Sequence, residues 1–134
     1  MATTSTRKLA RLHDAVDRLR RRDEVTLLEL RAQAARLEAE RDQLFAASSG
    51  VGALSLYVDL LARRMCALEG ALSRSRSEAE AAALALREQE RRLKMIERMS
   101  VAAAVEERRE DERKALEDWL DAARQASEKL HGPP

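Results

Sequence analysis

Residues 37–65 read LEAERDQLFAASSGVGALSLYVDLLARRM, and this stretch decides the fold. On either side of its centre, apolar residues recur at steps of three, four or seven, the spacing that lines one face of an α-helix. The centre, residues 46–52, is the only cluster of small and helix-breaking residues inside the chain. The stretch therefore predicts two helices that meet at a short turn.

The same spacing continues in both directions and defines one apolar seam on each helix. Such seams are typical of coiled coils. We therefore predict an all-α fold, in which two long helices form an antiparallel coiled-coil hairpin. The first seam comprises Leu9, Leu12, Val16, Leu19, Leu30, Leu37 and Leu44, and the second comprises Leu54, Val58, Leu61, Met65, Leu68, Leu72, Ala79, Ala82, Leu86, Leu93 and Ile96.

The predicted boundaries follow from capping residues and helix breakers. Thr3 to Thr6 offer N-cap side chains for the first helix. Gly70 lies inside the second seam but costs only about 1 kcal/mol relative to Ala, so it does not end a long helix. The predicted order is a first helix over about 5–47, a turn over 48–52, a second helix over about 53–130 and a disordered tail over 131–134, all in one coiled-coil domain spanning 1–134.

The composition excludes most other fold classes. Ala, Leu, Arg, Glu and Lys account for 86 of the 134 residues, a bias typical of long helices. Only Phe45, Tyr57 and Trp119 are aromatic, so the large side chains of an ordinary globular core are missing. The β-branched residues that favour strands are scarce, which argues against a sheet.

The two seams also predict a register for the hairpin. Folding at a turn centred near residue 49 or 50 pairs residues whose numbers add up to about 98. Gaps in the two seams then coincide and form a polar layer. This register places Leu44 opposite Leu54, Leu37 opposite Leu61, and Asp23 opposite Ser75.

The second helix is predicted to be longer than the first and to overhang it. In the predicted register the N-terminal end of the first helix lies opposite residue 95. About 35 residues of the second helix therefore extend beyond it. The extension carries a charged run, EERREDERK, over residues 106–114. A new apolar stripe with no partner in its own chain follows, which indicates an external partner. We predict that this partner binds Leu116, Trp119, Leu120 and Ala123, with Leu130 at the end of the stripe.

The sequence offers no recognisable catalytic or cofactor site. It contains no Gly-rich phosphate-binding loop, and His13 and His131 have no second ligand at helical spacing. Cys66, the single cysteine, has no partner for an internal disulfide, as in a reducing cytoplasm. No apolar run approaches the roughly 20 residues that span a bilayer. We expect a cytoplasmic protein that is not an enzyme, with no cofactor, metal or small-molecule substrate.

A basic cluster near the start of the chain is a second candidate binding surface. Residues 1–22 carry five more basic than acidic side chains, although the whole chain has a formal charge of only +1. The cluster could bind an acidic partner or an anionic lipid. Alternatively, it is simply a solvated face of the helix. The near balance of interspersed charges argues against nucleic acid as a general partner. The cluster comprises Arg18, Arg20, Arg21 and Arg22.

Several features together resemble the FliJ family of flagellar type III export proteins. The start around Lys8 and Leu9, the small-residue turn over 48–52 and the opening of the second helix near Tyr57 are of the kind found in that family. The charged run that contains Asp111 and Glu112 adds to the likeness. The resemblance covers nearly the whole chain. The chain departs from the family in its richness in Ala and Arg and its few aromatic residues near the turn.

The resemblance implies a mechanical role. FliJ-like proteins are coiled-coil stalks similar to the rotor of rotary ATPases, and they insert into the hexameric ring of the export ATPase. Its implied partners are the ATPase hexamer and its regulator, the membrane export gate protein and export chaperones. It also implies a cytoplasmic location, peripheral to the inner membrane at the flagellar base, and a part in flagellum biogenesis and motility.

Other functional classes stay open on the sequence alone. The injectisome stalk proteins are close relatives of the flagellar ones and have the same architecture. A generic homo-oligomeric structural coiled coil uses the same heptads. A nucleic-acid adaptor that binds through residues 7–22 is a third class, which salt-dependent DNA binding tests.

Overall fold

The chain folds into two long helices. The computed structural model describes residues 4–49 and 55–132, and it contains α1 (Thr4–Ser49) and α2 (Ser55–Leu130). The described residues contain no strand, so the predicted all-α hairpin with a longer second helix is confirmed. The observed helix ends lie within about two residues of the predicted ones, a difference typical of fraying termini.

The contacts divide the chain into two compact units, whereas the sequence predicts a single domain. The central unit is Val16–Arg92, and the terminal unit combines Met1–Ala15 with Leu93–Pro134. His131 closes the end of α2, where its backbone N–H donates to the Ser127 carbonyl at 3.1 Å. The predicted turn lies largely outside the described residues, as does the end of the predicted tail.

Burial along α1 recurs at alternating steps of three and four residues, the heptad pattern of a coiled coil, with Asp17 half-buried beside this row. One of the two heptad positions is mostly apolar, and the other is mostly polar. Val16 and Leu27 are the most buried residues of α1. The buried and half-buried seam comprises Thr6, Leu9, His13, Val16, Arg20, Asp23, Leu27, Leu30, Ala34, Leu37, Arg41, Leu44 and Ser48.

Burial along α2 follows the same alternation as far as Glu107. Leu68, Leu72, Leu93 and Ile96 are buried, and Ser75 is the one buried polar residue among the described positions. The seam comprises Leu61, Met65, Leu68, Leu72, Ser75, Ala79, Ala82, Leu86, Gln89, Leu93, Ile96, Ser100, Ala103 and Glu107.

Most of the predicted core residues lie on these seams, but four do not. Leu12, Leu19 and Val58 are exposed, contrary to the prediction, and Leu54 lies outside the described residues. Leu12 and Leu19 each precede a polar seam residue, so their apolar character does not mark the buried position. The remaining predicted core residues are Leu9, Val16, Leu30, Leu37, Leu44, Leu61, Met65, Leu68, Leu72 and Leu86, all buried or half-buried.

The predicted register is wrong in the central unit. The Ser75 hydroxyl donates to the backbone carbonyl of Leu30 at 3.3 Å, one heptad beyond its predicted partner Asp23. Arg64 donates to the Glu40 carboxylate at 3.3 Å, and Arg41 lies 3.7 Å from Glu69. The numbers of these paired residues add up to values from 104 to 110, in place of about 98.

The terminal unit shows where α2 extends beyond α1. Thr6 donates its hydroxyl to the Glu107 carboxylate at 3.3 Å, and the His13 ring lies 3.7 Å from Glu97. The first turns of α1 therefore reach Glu107, and the extension begins at residue 108 instead of near 95. The heptad seam of α2 includes Ser100 and Glu107, which are half-buried. It continues there with polar residues.

Candidate partner-binding surfaces

The C-terminal segment, residues 108–130 of α2, is exposed along its whole length. Leu116 is 57% exposed, Trp119 66% and Leu120 46%, and Ala123 is exposed beside them. These four predicted partner-binding residues lie one, three or four positions apart, so they form one stripe on the helix. We call them the Trp119 stripe.

The side of α2 that faces α1 becomes fully charged beyond Glu107. Continuing the heptad steps from Glu107 leads only to charged residues, so this side offers no apolar contact to another helix. At 3.6 residues per turn, the Trp119 stripe lies about 130° around the helix from that charged side. The apolar surface of the segment is therefore separate from the hairpin seam. The charged positions are Glu110, Lys114, Glu117, Asp121, Arg124 and Glu128.

The structure also reveals exposed apolar residues upstream on the same side of α2. Met95, Met99 and Val105 are each about half exposed. Met95 precedes Leu116 by three heptads, and Val105 precedes Trp119 by two, so all lie on the same side in heptad terms. Sequence analysis missed these residues because the buried seam runs through the same stretch. The charged run over 106–114 separates the two apolar patches.

Ion pairs within the helix support the C-terminal segment locally. Arg113 lies 3.4 Å from Glu110 and 4.0 Å from Glu117, at the i,i+3 and i,i+4 spacings. Such pairs contribute a few tenths of a kcal/mol each. Most helical stability in proteins comes from packing of an amphipathic face, so a bound partner would add to the stability of this exposed segment.

The basic cluster of α1 is divided between paired and unpaired guanidinium groups. Arg20 lies at a seam position, where it donates to Asp17 at 2.9 Å and to Glu24 at 3.3 Å. The hydrogen bond that Arg20 donates to the Asp17 carboxylate raises the pKa of the Arg20 guanidinium above its usual value. Arg21 also pairs with Asp17, at 3.0 Å. These two arginines are neutralised within their own helix, which favours a solvated, structural face.

Arg18 and Arg22 are the members of the basic cluster that remain available to a partner. Both are exposed, and no carboxylate of the described residues lies within 4 Å of either one. The backbone carbonyl of Arg22 accepts a hydrogen bond from Thr26 at 2.9 Å. Two unpaired arginines form a much smaller basic surface than the sequence indicates.

A third apolar surface lies in the central unit, close to the end of α1. Leu44, Leu61 and Met65 line a shallow groove of about 300 Å³. Phe45 and Val58 border it and are exposed. The groove is open to solvent, so it has the character of a contact surface and not of an enclosed ligand site.

Side chains that could hold a metal ion do not come together in the described part of the chain. Over residues 4–49 and 55–132, no three His, Cys, Asp or Glu side chains come together as a metal ion requires. Cys66 is exposed. Neither helix, within the same residues, has an apolar stretch long enough to cross a membrane.

Comparison with the models of known protein families, with characterised proteins and with solved structures gave no match for this chain.

Proposed function

We propose that this chain is a non-enzymatic coiled-coil component of the bacterial flagellar type III export apparatus. It acts as a stalk that inserts into the ring of the export ATPase, promotes its activity and links it to the export gate. One observation carries the proposal: the hairpin ends at Glu107, and α2 continues as a fully exposed helix with the Trp119 stripe. A helix of this kind presents an amphipathic surface to a partner groove.

The proposed mechanism uses binding energy alone. A partner that binds the assembled ring better than its separate subunits shifts the equilibrium towards the ring. The exposed segment supplies apolar anchors for such binding, and its charged side stays in water. The proposed location is cytoplasmic, at the inner membrane beneath the flagellum, with export chaperones as further partners.

The test is an ATPase assay with the export ATPase from the same organism. We expect no ATP hydrolysis by this chain alone and a several-fold increase in the hydrolysis rate of the ATPase when the chain is added. Analytical ultracentrifugation on the same samples should show a larger share of hexamer. If the two proteins bind and the hydrolysis rate stays constant at all concentrations, the stalk role is wrong.

A second candidate is the injectisome stalk, which has the same architecture. It is distinguished by repeating the assay with an injectisome ATPase. A generic structural coiled coil is the third candidate, and it predicts self-association with no response of either ATPase.

A further inference from the structure

A second periodic row of residues runs along α2 beside the hairpin seam. Each of its members directly precedes a seam residue, as Met95 precedes Ile96, or one of the charged residues that continue the seam beyond Glu107. The row therefore lies about 100° around the helix from the side that contacts α1. Its steps alternate between four and three residues, the spacing with which one helix packs on another. The row comprises Met95, Met99, Ala102, Glu106, Arg109, Arg113, Leu116 and Leu120, all of them exposed.

The row has the same character when it is read from either end. Large apolar side chains occupy both ends, and charged side chains occupy the centre. Met95 and Met99 at one end are about half exposed, and so are Leu116 and Leu120 at the other. A surface of this kind is complementary to itself when it is turned end over end. Self-complementarity is what a two-fold contact between identical chains requires.

We propose that two copies of this chain pair along this row in antiparallel orientation, with a two-fold axis between residues 107 and 108. In this register the numbers of facing residues add up to 215. Met95 of one copy faces Leu120 of the other, and Met99 faces Leu116. The two-fold axis repeats each contact, so both ends of the pair are closed by apolar layers of the coiled-coil type.

The charged centre of the row fits the same register. Glu106 of one copy faces Arg109 of the other, and the two-fold axis repeats this pair in the next layer. Arg113 faces Ala102, whose small side chain leaves room for the arginine stem. The opposite charges thus lie in the same row as the apolar contacts and in the same alignment. This charge complementarity identifies a second copy as the occupant of the row.

Glu106 and Arg109 are available for contacts between copies. They lie three residues apart on their own helix, yet no ion pair joins them. Among the described residues, no side chain of opposite charge lies within 4 Å of either one. Arg113 lies 3.4 Å from Glu110, so its charge is already balanced within its own helix.

The outer edge of the row adds a further contact. Arg98 and Trp119 each directly precede a member of the row, so they lie along the same edge. Antiparallel pairing brings Arg98 of one copy beside Trp119 of the other, where the guanidinium group reaches the face of the indole ring. Over residues 4–49 and 55–132, no carboxylate lies within 4 Å of Arg98.

Other alignments of the same row bring unfavourable pairs together. A shift by one heptad in one direction places Arg109 opposite Arg113, and a shift in the other direction places Met99 opposite Arg109. A parallel, in-register pair places Glu106 opposite Glu106 and each arginine opposite itself. Like charges then repel, or a charge loses its water against an apolar side chain. The proposed register avoids both conflicts.

The composition of the row sets the strength of the dimer. The contact extends from residue 95 to residue 120, about 38 Å along the helix. Its central layers are charged, and polar core residues specify the register of a coiled coil at a cost in stability. We therefore expect a dissociation constant in the micromolar range. This pairing does not depend on the proposed export role, and it is measured without any ATPase.

Sedimentation velocity of the full-length chain tests the pairing. With rising concentration we expect a monomer–dimer transition. Glu106→Arg or Arg109→Glu alone should weaken the dimer roughly tenfold at low salt, since two attractive contacts become repulsive. The double variant Glu106→Arg/Arg109→Glu should restore it. The matched control Arg108→Glu reverses a neighbouring charge that lies outside the row, and it should change the dissociation constant by no more than about twofold.

Cross-linking between copies tests the register. Met99→Cys and Leu116→Cys are made in separate chains, each in a Cys66→Ala background, and the two variants are mixed under mild oxidation. We expect an efficient disulfide between them, because facing residues of a helix pair lie within reach of a disulfide. The control mixture, Met99→Cys with Ala123→Cys, pairs the residues that face each other after a shift of one heptad. It should link poorly.

Three outcomes overturn the proposal. A monomer at every concentration up to about 200 μM, well above the micromolar range, excludes a second copy as the occupant of the row. A dimer that the single charge variants weaken no more than Arg108→Glu does excludes the charged centre as part of the contact. More efficient linking of the control mixture than of the first mixture excludes the register. Far-UV circular dichroism of each variant checks that its helix content is unchanged.

Discussion

At the scale of single residues, Leu27 and Leu28 show that the heptad position decides whether a side chain is buried. The two leucines are neighbours, yet Leu27 is 6% exposed and Leu28 60%. Leu27 occupies the seam position of α1 that is otherwise mostly polar. Leu27 therefore provides much of the apolar contact between this row of residues and α2 in the central unit.

We predict that Leu27→Ala destabilises the protein by about 2–4 kcal/mol, because it removes a buried side chain and leaves a cavity. The matched control Leu28→Ala should change the free energy of unfolding by less than about 0.5 kcal/mol, as is usual for exposed sites. Urea denaturation followed by circular dichroism measures both. Equal effects of the two substitutions would contradict the assignment of the seam.

Hydrophobicity alone does not distinguish these two residues. Leu12 and Leu19 are apolar and exposed, whereas His13 and Arg20 beside them occupy half-buried seam positions. Polar side chains reach these positions because their ends extend to carboxylates and water, as Arg20 does towards Asp17. A sequence analysis based on apolar residues therefore selects the neighbouring position.

At the scale of the elements, the sequence predicts the helices well and their register poorly. Helix ends depend on local signals, such as the glycines near the turn, which are visible in the chain. Register depends on which layers of two periodic seams meet, and such seams fit one another at several offsets. The prediction took its offset from the position of the turn, and the observed contact of Ser75 with Leu30 lies one heptad away from that offset.

The observed register predicts a specific disulfide in the central unit. Glu38, the neighbour of Leu37, lies 3.6 Å from Arg76, and Arg41 lies 3.7 Å from Glu69, so Leu37 faces the part of α2 between Glu69 and Arg76. The seam residue of α2 at that level is Leu72. Under mild oxidation we expect Leu37→Cys/Leu72→Cys, in a Cys66→Ala background, to form a cross-link within one monomer.

The control is the pair predicted from the sequence, Leu37→Cys/Leu61→Cys. Leu61 lies eleven residues from Leu72, about 16 Å along the helix, which is beyond the reach of a disulfide. Non-reducing electrophoresis with mass spectrometry identifies the linked peptides. Efficient cross-linking of the control and none of the first pair would restore the original register.

At the scale of the whole molecule, the apolar stripe of the C-terminal segment was easier to predict than the register. The Trp119 stripe is apolar on a charged background, and this contrast is a property of one helix that needs no knowledge of its neighbour. Whether the Trp119 stripe is exposed, in contrast, depends on how far the N-terminal end of α1 reaches along α2. The upstream residues Met95 and Met99 could not be assigned from sequence because the buried seam of α2 runs through the same stretch.

The remaining prediction concerns Trp119 in the proposed complex with the export ATPase. Trp and Leu anchors in a desolvated contact often contribute about 2 kcal/mol or more each, so Trp119→Ala should weaken binding roughly thirtyfold. Because Trp119 lies outside the hairpin seam, the helix content and melting temperature of the isolated chain should stay almost constant. Binding is measured by titrating the ATPase with the chain.

Leu84→Ala is the matched control for that measurement. Leu84 lies on α2 with 64% exposure, close to the 66% of Trp119, but it is far along the helix from the Trp119 stripe. Its substitution should leave the affinity for the ATPase within about twofold, since isolated exposed apolar residues contribute little to specific binding. If Trp119→Ala lowers the melting temperature of the monomer and leaves the affinity unchanged, the stripe packs inside the chain, and the C-terminal segment is not the docking surface.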